Sequence, residues 1–229
     1  MWLAVEGDLR FLSHRDMMRA VERALLRARL PLQYTQGFHP HPVVSLALPR
    51  PVGVWADKEL LVFSLSEPVA PETLLEAARP HAPRGMRFLH AAVLPPGPKP
   101  HPLGCQYELT VPDDRLEAVR EALPRWRRRD QWHVKRSPPA GRGRTGRAKS
   151  YPVDLKPLVT DLVLDGNVLR WRQQPAGELW ARPAEVLAVA GLDPRADLAR
   201  VRRTAVDYSV AGTMPAVGKR TRKPWQKKC

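Results

Sequence analysis

The chain has 229 residues, enough for one large domain or two small ones, and we interpret it as two. Hydrophobic residues make up 43% of the chain, which excludes disorder over its whole length. The 38 basic and 23 acidic residues give a net charge of +15, which favours a polyanion such as RNA as the partner.

Cysteine content and hydropathy exclude several kinds of protein. Cys105 and Cys229 are the only cysteines, too few for a disulfide framework or a cysteine-bound metal or iron–sulfur centre. No apolar run approaches the ~20 residues that a membrane-spanning helix needs, and Met1 is not followed by a signal-peptide pattern. We therefore expect a cytoplasmic protein that holds no metal or cofactor and has no membrane partner.

Residues 1–94 show an alternation of predicted strands and helices. The order of these elements is strand, helix, strand, strand, helix, strand, which is that of a ferredoxin-like βαββαβ domain. The predicted strands lie within residues 2–12, 43–48, 59–65 and 86–94, and the predicted helices within 14–29 and 71–81.

A proline-rich segment at residues 95–104 separates this first domain from a second at 105–210. The second domain repeats the order of elements, with strands near 106–111, 131–135, 153–164 and 168–173, helices near 113–128 and 183–190, and a last strand after residue 193. Residues 211–229 are predicted to be a disordered basic tail. The predicted fold class is thus α+β, with two tandem ferredoxin-like domains built on antiparallel sheets.

The first predicted helix combines an apolar side with a row of arginines. Ser13 and Asp16 have the spacing of a capping box, which places the start of the helix at His14. On the polar side an arginine recurs every fourth residue, at Arg15, Arg19, Arg23 and Arg27. Four guanidinium groups with almost no acidic complement favour phosphate contact over an ordinary solvated face.

Two basic segments without acidic residues extend the predicted RNA-binding surface, an arm at 135–149 and the end of the tail at 219–228. Their binding would be independent of sequence and sensitive to salt. Phe38 could present an aromatic face to a base, or could be a core residue of a turn. Candidate contacts in this set are Phe38, Lys135, Arg136, Arg142, Arg144, Arg147, Lys149, Lys219, Arg220, Arg222, Lys223 and Trp225.

A second group of residues has the chemistry of a catalytic or metal site. Imidazole and carboxylate groups suit zinc or non-haem iron, and a serine beside a histidine can act as a nucleophile. The alternative, which we favour, is that the serine and the aspartate cap the helix and that the His-Pro-His-Pro sequence forms a rigid turn. The residues concerned are Ser13, His14, Asp16, His39 and His41.

The residues Gly7–Asp16, Arg19–Ala24 and Leu30–Pro42 together resemble a family of radical-SAM-linked proteins, the domain of unknown function 2344. Weaker resemblance continues at Tyr151–Leu158 and Arg182–Leu187. The family occurs as a separate chain or as an extension of a B12-type radical-SAM protein. The resemblance therefore implies a radical-SAM protein of this type as a partner.

Three functions follow from these features. The first is an RNA-binding accessory protein that presents a tRNA or rRNA to a radical-SAM enzyme and is not an enzyme on its own. The second is an RNA-modifying or RNA-cleaving enzyme with its site near Ser13, His14 and His41. The third is a protein–protein adaptor in which the basic segments serve only solubility.

Overall fold

The computed structural model of the protein describes residues 1–137 and 150–209. The α-helices are α1 (His14–Arg27), α2 (Pro71–Ala78), α3 (Asp113–Arg127), α4 (Pro183–Val189) and α5 (Pro194–Asp197). The strands are β1 (Trp2–Val5), β2 (Val44–Leu46), β3 (Trp55–Phe63), β4 (Met86–His90), β5 (His101–Thr110), β6 (His133–Arg136), β7 (Tyr151–Asp154), β8 (Val159–Asp165), β9 (Val168–Gln173) and β10 (Arg202–Ser209).

Eight of these strands form one sheet, in the order β4-β1-β3-β10-β5-β9-β8, with β2 beside β3. The neighbours are antiparallel except for β3 and β10, which are parallel, with Arg202 opposite Trp55 and Arg203 opposite Ala56. The predicted combination of helices with antiparallel strand pairing is therefore confirmed in its coarse form: the structure is mixed, and its sheet is mostly antiparallel. Because β10 comes from the carboxyl-terminal end and β3 from the first half, the two halves of the chain share this sheet.

The four longer helices lie on one face of the sheet. Ala56 and Arg203 are cross-strand neighbours, so their side chains point to the same face. Ala56 packs in an apolar cluster with the buried side chains of α1 and α2. Tyr107, which is opposite Arg203 on β5, packs in a second cluster with those of α3 and α4. The other face of the sheet carries a cross-strand row of Trp55, Arg202, Glu108 and Arg170.

Several predicted elements agree with the structure and several differ. The strands β8 and β9 pair around the predicted Asp165–Asn167 turn, and β2 pairs with β3 as expected. Within residues 2–12, predicted as two extended stretches about a turn at Glu6–Asp8 or as one bulged strand, Gly7–Phe11 forms a short 3-10 helix instead. The strand β5 begins at His101, inside the predicted linker. The region predicted as one strand at 153–164 is divided: β7 pairs with β6 in a separate two-stranded sheet, and β8 belongs to the main sheet. The domain boundaries themselves remain a prediction.

None of the helices in residues 1–137 and 150–209 has the length and apolar character needed to span a membrane.

Candidate nucleic-acid interface

The amino end of α1 is held by the predicted cap. Ser13 Oγ accepts a hydrogen bond from the Asp16 backbone N–H at 3.2 Å and donates one to Asp16 Oδ2 at 2.7 Å. The N-cap at Ser13 is thus confirmed, but Asp16 bonds the serine hydroxyl rather than the serine backbone, because its side chain is shorter than that of the glutamate usual at this position. The bond from Ser13, with help from Arg19, lowers the pKa of Asp16.

The outward side of α1 is a face of exposed arginines, which we call the α1 arginine face: Arg15, Arg19, Arg23 and Arg27. The apolar side of the helix, including Met17, is buried against the sheet and turns these arginines to solvent. Successive members are about 6 Å apart along the axis and rotated by about 40°. Arg19 pairs with Asp16 at 3.3 Å, whereas no carboxylate in the described ranges lies within 4.0 Å of the other three.

The Phe38 loop, residues 33–43, projects as a braced turn. Its base is closed by the backbone bond from Val43 N–H to Gln33 O at 2.8 Å, and its middle by Thr35 N–H to His41 O at 2.9 Å. The His41 ring nitrogen Nδ1 lies 3.2 Å from Thr35 Oγ1. Phe38 at the tip is fully exposed, so the interpretation of Phe38 as a core residue is wrong.

The candidate catalytic residues are divided between two places. Ser13, His14 and Asp16 lie at the start of α1, where the hydrogen bonds of Ser13 go to Asp16 rather than to His14. His39 and His41 lie in the Phe38 loop, where His41 Nδ1 also approaches the His39 carbonyl oxygen at 3.3 Å. Within the part of the chain that the structure describes, no three His, Cys, Asp or Glu side chains are grouped to hold a metal ion.

Arg136 was predicted to contact RNA, and the structure corrects this prediction. Its side chain is 6% exposed and binds Glu185 through two parallel hydrogen bonds, Nε to Oε1 at 2.8 Å and Nη2 to Oε2 at 2.6 Å. Nη2 also donates to Trp180 O at 3.0 Å. A guanidinium occupied in this way ties β6 to α4 and cannot contact a phosphate, whereas its neighbour Lys135 is exposed.

Most of the remaining predicted contacts lie outside the described residues: Arg142, Arg144, Arg147, Lys149, Lys219, Arg220, Arg222, Lys223 and Trp225. The segments that contain them, 138–149 and 210–229, carry ten basic and no acidic residues. The rest of the chain carries 28 basic and 23 acidic residues. Two thirds of the excess positive charge therefore belongs to these two segments.

A group of aromatic and basic side chains that sequence reasoning missed lies where the two halves meet. We call it the junction cluster: Arg10, Phe11, Trp55 and Arg202. The guanidinium carbon of Arg10 is 4.4 Å from the ring centroid of Phe11 and 5.0 Å from that of Trp55. Arg202 lies 6.0 Å from the Trp55 centroid and pairs with Asp57 at 2.7 Å. Three distant segments supply the group, so no local pattern predicts it.

A buried ionic centre lies beside the junction cluster. Glu59 Oε1 is 2.7 Å from Arg203 Nη2 and 3.5 Å from Arg50 Nε, and all three side chains are almost wholly buried. Burial lowers the pKa of Arg50, and the charge of Glu59 partly offsets this. Burial disfavours the charged form of Tyr208 as well, which for a phenol raises the pKa, here to about 12. The centre thus joins β3 to β10 by charge as well as by backbone pairing.

On the open face of the sheet, which is the face without the four longer helices, arginines of the second half are paired with carboxylates from other strands. Arg170 Nη1 lies 2.8 Å from Asp165 Oδ2, and Arg172 Nη2 lies 2.6 Å from Asp207 Oδ2. These cations are about half exposed, but their charge is already matched by carboxylates.

Comparison with known proteins and protein families shows the family of the chain. No curated protein shows significant similarity to the chain. A family model described as an uncharacterized protein conserved in bacteria, DUF2344, matches residues 1–179, which is more than three quarters of the chain and ends shortly after β9. The predicted identity of the family is thereby confirmed, and the chain belongs to the DUF2344 family of bacterial proteins.

Proposed function

We propose that the protein is an RNA-binding accessory factor that holds a tRNA or rRNA for a radical-SAM enzyme. The observation that carries the proposal is the α1 arginine face, where Arg15, Arg23 and Arg27 are exposed without a carboxylate partner in the described ranges. Exposed guanidinium groups bind phosphates through paired N–H donors. An unneutralised row on a rigid helix therefore offers a track for a phosphate backbone.

The charge of the remaining chain supports the same partner. The segments 138–149 and 210–229 contribute ten basic residues and no acid. Such segments increase affinity for any polyanion by releasing its condensed counterions, without selecting a sequence. Lys135, exposed on β6 next to the first of these segments, belongs to the same proposed surface.

The strand orders support the finer description of the fold. The order β4-β1-β3-β2 in the first half and β10-β5-β9-β8 in the second each suit a βαββαβ unit, with β6 and β7 inserted in the second. We therefore propose two tandem ferredoxin-like units side by side in one sheet.

The radical-SAM partner comes from the family resemblance, and the cytoplasmic location from the scarcity of cysteine. Residues 1–137 and 150–209 bring Cys105 alone, buried, and therefore offer no ligand set for an iron–sulfur cluster. The proposed division of labour gives the radical chemistry to the partner and the RNA contact to this chain. A B12-type radical-SAM protein should then co-elute with the full chain, and the complex should retain RNA. Separate elution of the two proteins would overturn the partnership.

The binding test compares arginines that differ in their partners. Affinity for a labelled tRNA or rRNA fragment is measured against salt concentration for the wild type, for Arg15→Gln/Arg23→Gln/Arg27→Gln, and for the control Arg170→Gln/Arg172→Gln. Each phosphate contact contributes nearly one unit to the slope of log K against log salt, so the triple variant should have a slope shallower by about two to three. The slope of the control should stay close to that of the wild type, because Arg170 and Arg172 are already paired with carboxylates.

Two outcomes would contradict the proposal. Wild-type affinity and slope in the triple variant would remove α1 from the interface. Binding of the radical-SAM protein by a chain that fails to bind tRNA or rRNA at low salt would leave an adaptor as the function.

A further inference from the structure

We infer that the junction cluster is a stacking site for one unpaired base of the bound RNA. The inference rests on the proposed function and adds to it the part of the RNA that is recognised. Phe11 carries it, because the residue is 49% exposed while the planar guanidinium of Arg10 lies 4.4 Å from its ring centroid. An aromatic ring backed by a cation and open to solvent is a platform on which any nucleobase can stack.

The platform is built before any ligand arrives. The carbonyl oxygen of Arg10 accepts hydrogen bonds from Gly53 N–H at 2.8 Å and from Arg50 Nη1 at 2.7 Å. Arg50 in turn belongs to the buried ionic centre with Glu59. The 3-10 helix that presents Arg10 and Phe11 is therefore fixed to the β2–β3 loop, and little conformational freedom is lost when a base binds.

The second aromatic of the cluster is fixed in the same way. The backbone N–H of Trp55 donates to Val201 O at 2.9 Å, and its indole Nε1–H donates to Ala199 O at 3.1 Å. Trp55 is thus bound to the segment just before β10, which places Arg202 beside it. Both halves of the chain contribute to the cluster, so a base bound there would contact their junction.

The chemistry of the cluster favours a base over an apolar peptide. The members are planar groups with two guanidinium charges. Within residues 1–137 and 150–209, only that of Arg202 has a carboxylate partner, Asp57. Arg10 Nε is buried and has no hydrogen-bond acceptor among the described residues. Unpaired RNA bases are recognised by stacking on aromatic rings and guanidinium planes, and the adjoining phosphates bring the negative charge that such a site attracts.

The location of Phe11 connects the cluster to the α1 arginine face. Arg15 lies four positions after Phe11 in the chain, a span of at most ~14 Å in a fully extended chain. This short span allows one RNA strand to contact Arg15 through a phosphate and Phe11 through a base. Recognition of a base at Phe11 and of phosphates along α1 would then belong to one continuous strand.

The experiment separates stacking from phosphate contact at a single position. Phe11→Leu keeps an apolar side chain but removes the aromatic face, and Phe11→Tyr keeps the face. Leu103→Ala serves as a matched control, because Leu103 is 51% exposed and lies on β5 outside the cluster. Affinity is measured for single-stranded oligoadenylate and for an abasic ribose-phosphate strand of the same length, and 2-aminopurine fluorescence reports stacking directly.

We expect Phe11→Leu to weaken oligoadenylate binding between about fivefold and 100-fold, the range found for the loss of one base–aromatic stack. Binding of the abasic strand should not change. Phe11→Tyr and Leu103→Ala should resemble the wild type for both strands. Quenching of 2-aminopurine should fall in Phe11→Leu alone.

The outcomes distinguish this inference from the proposed function. Wild-type binding and quenching in Phe11→Leu would overturn the stacking site, while loss of affinity in the α1 triple variant would still support RNA binding. An abasic strand bound as tightly as oligoadenylate by the wild type would also overturn it. If the wild type bound neither strand, the proposed function would fail together with this inference.

Discussion

The arginines of α1 and those on the open face of the second half differ in what surrounds them. On the open face, Arg170 and Arg172 lie within 2.8 Å and 2.6 Å of a carboxylate oxygen. On α1, Arg15, Arg23 and Arg27 have no such neighbour in residues 1–137 and 150–209. Both surfaces carry arginines that solvent can reach, but only those on α1 keep an unmatched charge, so the presence of arginines alone does not locate a surface for anions.

The difference follows from the geometry of helices and sheets. A helix residue meets side chains three or four positions away, so the sequence around α1 already shows that Asp16 and Glu22 are its only acids. A strand residue meets side chains on neighbouring strands, which can be far away in sequence. Asp207, the partner of Arg172, is 35 residues distant. The acids near the arginines of α1 could therefore be read from the local sequence, whereas the carboxylate partner of Arg172 could not.

The most severe test of charge pairing is Glu59→Gln. The substitution keeps the shape of the side chain but leaves Arg50 and Arg203 buried without their carboxylate. Removing one partner of a buried ion pair costs about 3–5 kcal/mol, and with two cations affected we expect about 5 kcal/mol from urea unfolding. The control Asp57→Asn, which removes the exposed partner of Arg202, should cost less than about 1 kcal/mol. Equal losses of unfolding free energy in Glu59→Gln and Asp57→Asn would show that burial does not determine how much these ion pairs contribute.

Arg136→Met tests the arginine that sequence reasoning assigned to RNA. The variant leaves Glu185 without its partner in a site where that carboxylate is 12% exposed, so we expect a loss of about 3 kcal/mol in unfolding free energy. RNA affinity and its salt dependence should stay at wild-type values, while Lys135→Gln should leave stability unchanged and reduce the salt slope slightly. Weaker RNA binding by folded Arg136→Met would restore Arg136 to the interface.

Local patterns predicted those parts of the molecule in which local interactions decide the structure. The cap at Ser13, the apolar side of α1 and the Asp165–Asn167 turn each depend on residues a few positions apart, and each was found. The register of Arg203 against Ala56 could not be predicted from the sequence, because these two residues are 147 positions apart. The burial of Arg136 was missed for the same reason, since Glu185 lies 49 residues further along the chain.

The junction cluster shows the same limit for the candidate site. Phe11 and Arg10 lie in a segment that resembles the family, yet the segment was predicted as extended strand, which would have placed them on opposite faces. The 3-10 conformation of Gly7–Phe11 and the approach of Trp55 bring them together instead. Only the tertiary pairing of β3 with β10 adds Arg202 to the group.

A smaller effect is expected when the cap of α1 is removed by Ser13→Ala. Loss of an N-cap hydroxyl costs about 1 kcal/mol, which urea unfolding measures. Because the hydrogen bond from Ser13 holds the pKa of Asp16 low, that pKa should rise in the variant, as followed by NMR titration. The stability linked to Asp16 is present above its unfolded pKa and is lost as pH falls through the folded value. Ser13→Ala should therefore lessen the acid sensitivity of α1, and an unchanged Asp16 titration would refute the role of this bond.

The smallest expected effect concerns the open-face pair of Arg172 and Asp207. Both side chains are nearly half exposed, and pairs of this kind contribute about 0.2–1 kcal/mol in double-mutant cycles. The cycle uses Arg172→Gln, Asp207→Asn and the double variant, with unfolding free energies measured at low and high salt. Asp207→Asn should increase RNA affinity, because it leaves Arg172 exposed and without a carboxylate, like the arginines of α1. If Asp207→Asn did not increase RNA affinity, pairing with carboxylates could not explain why the open face and α1 differ.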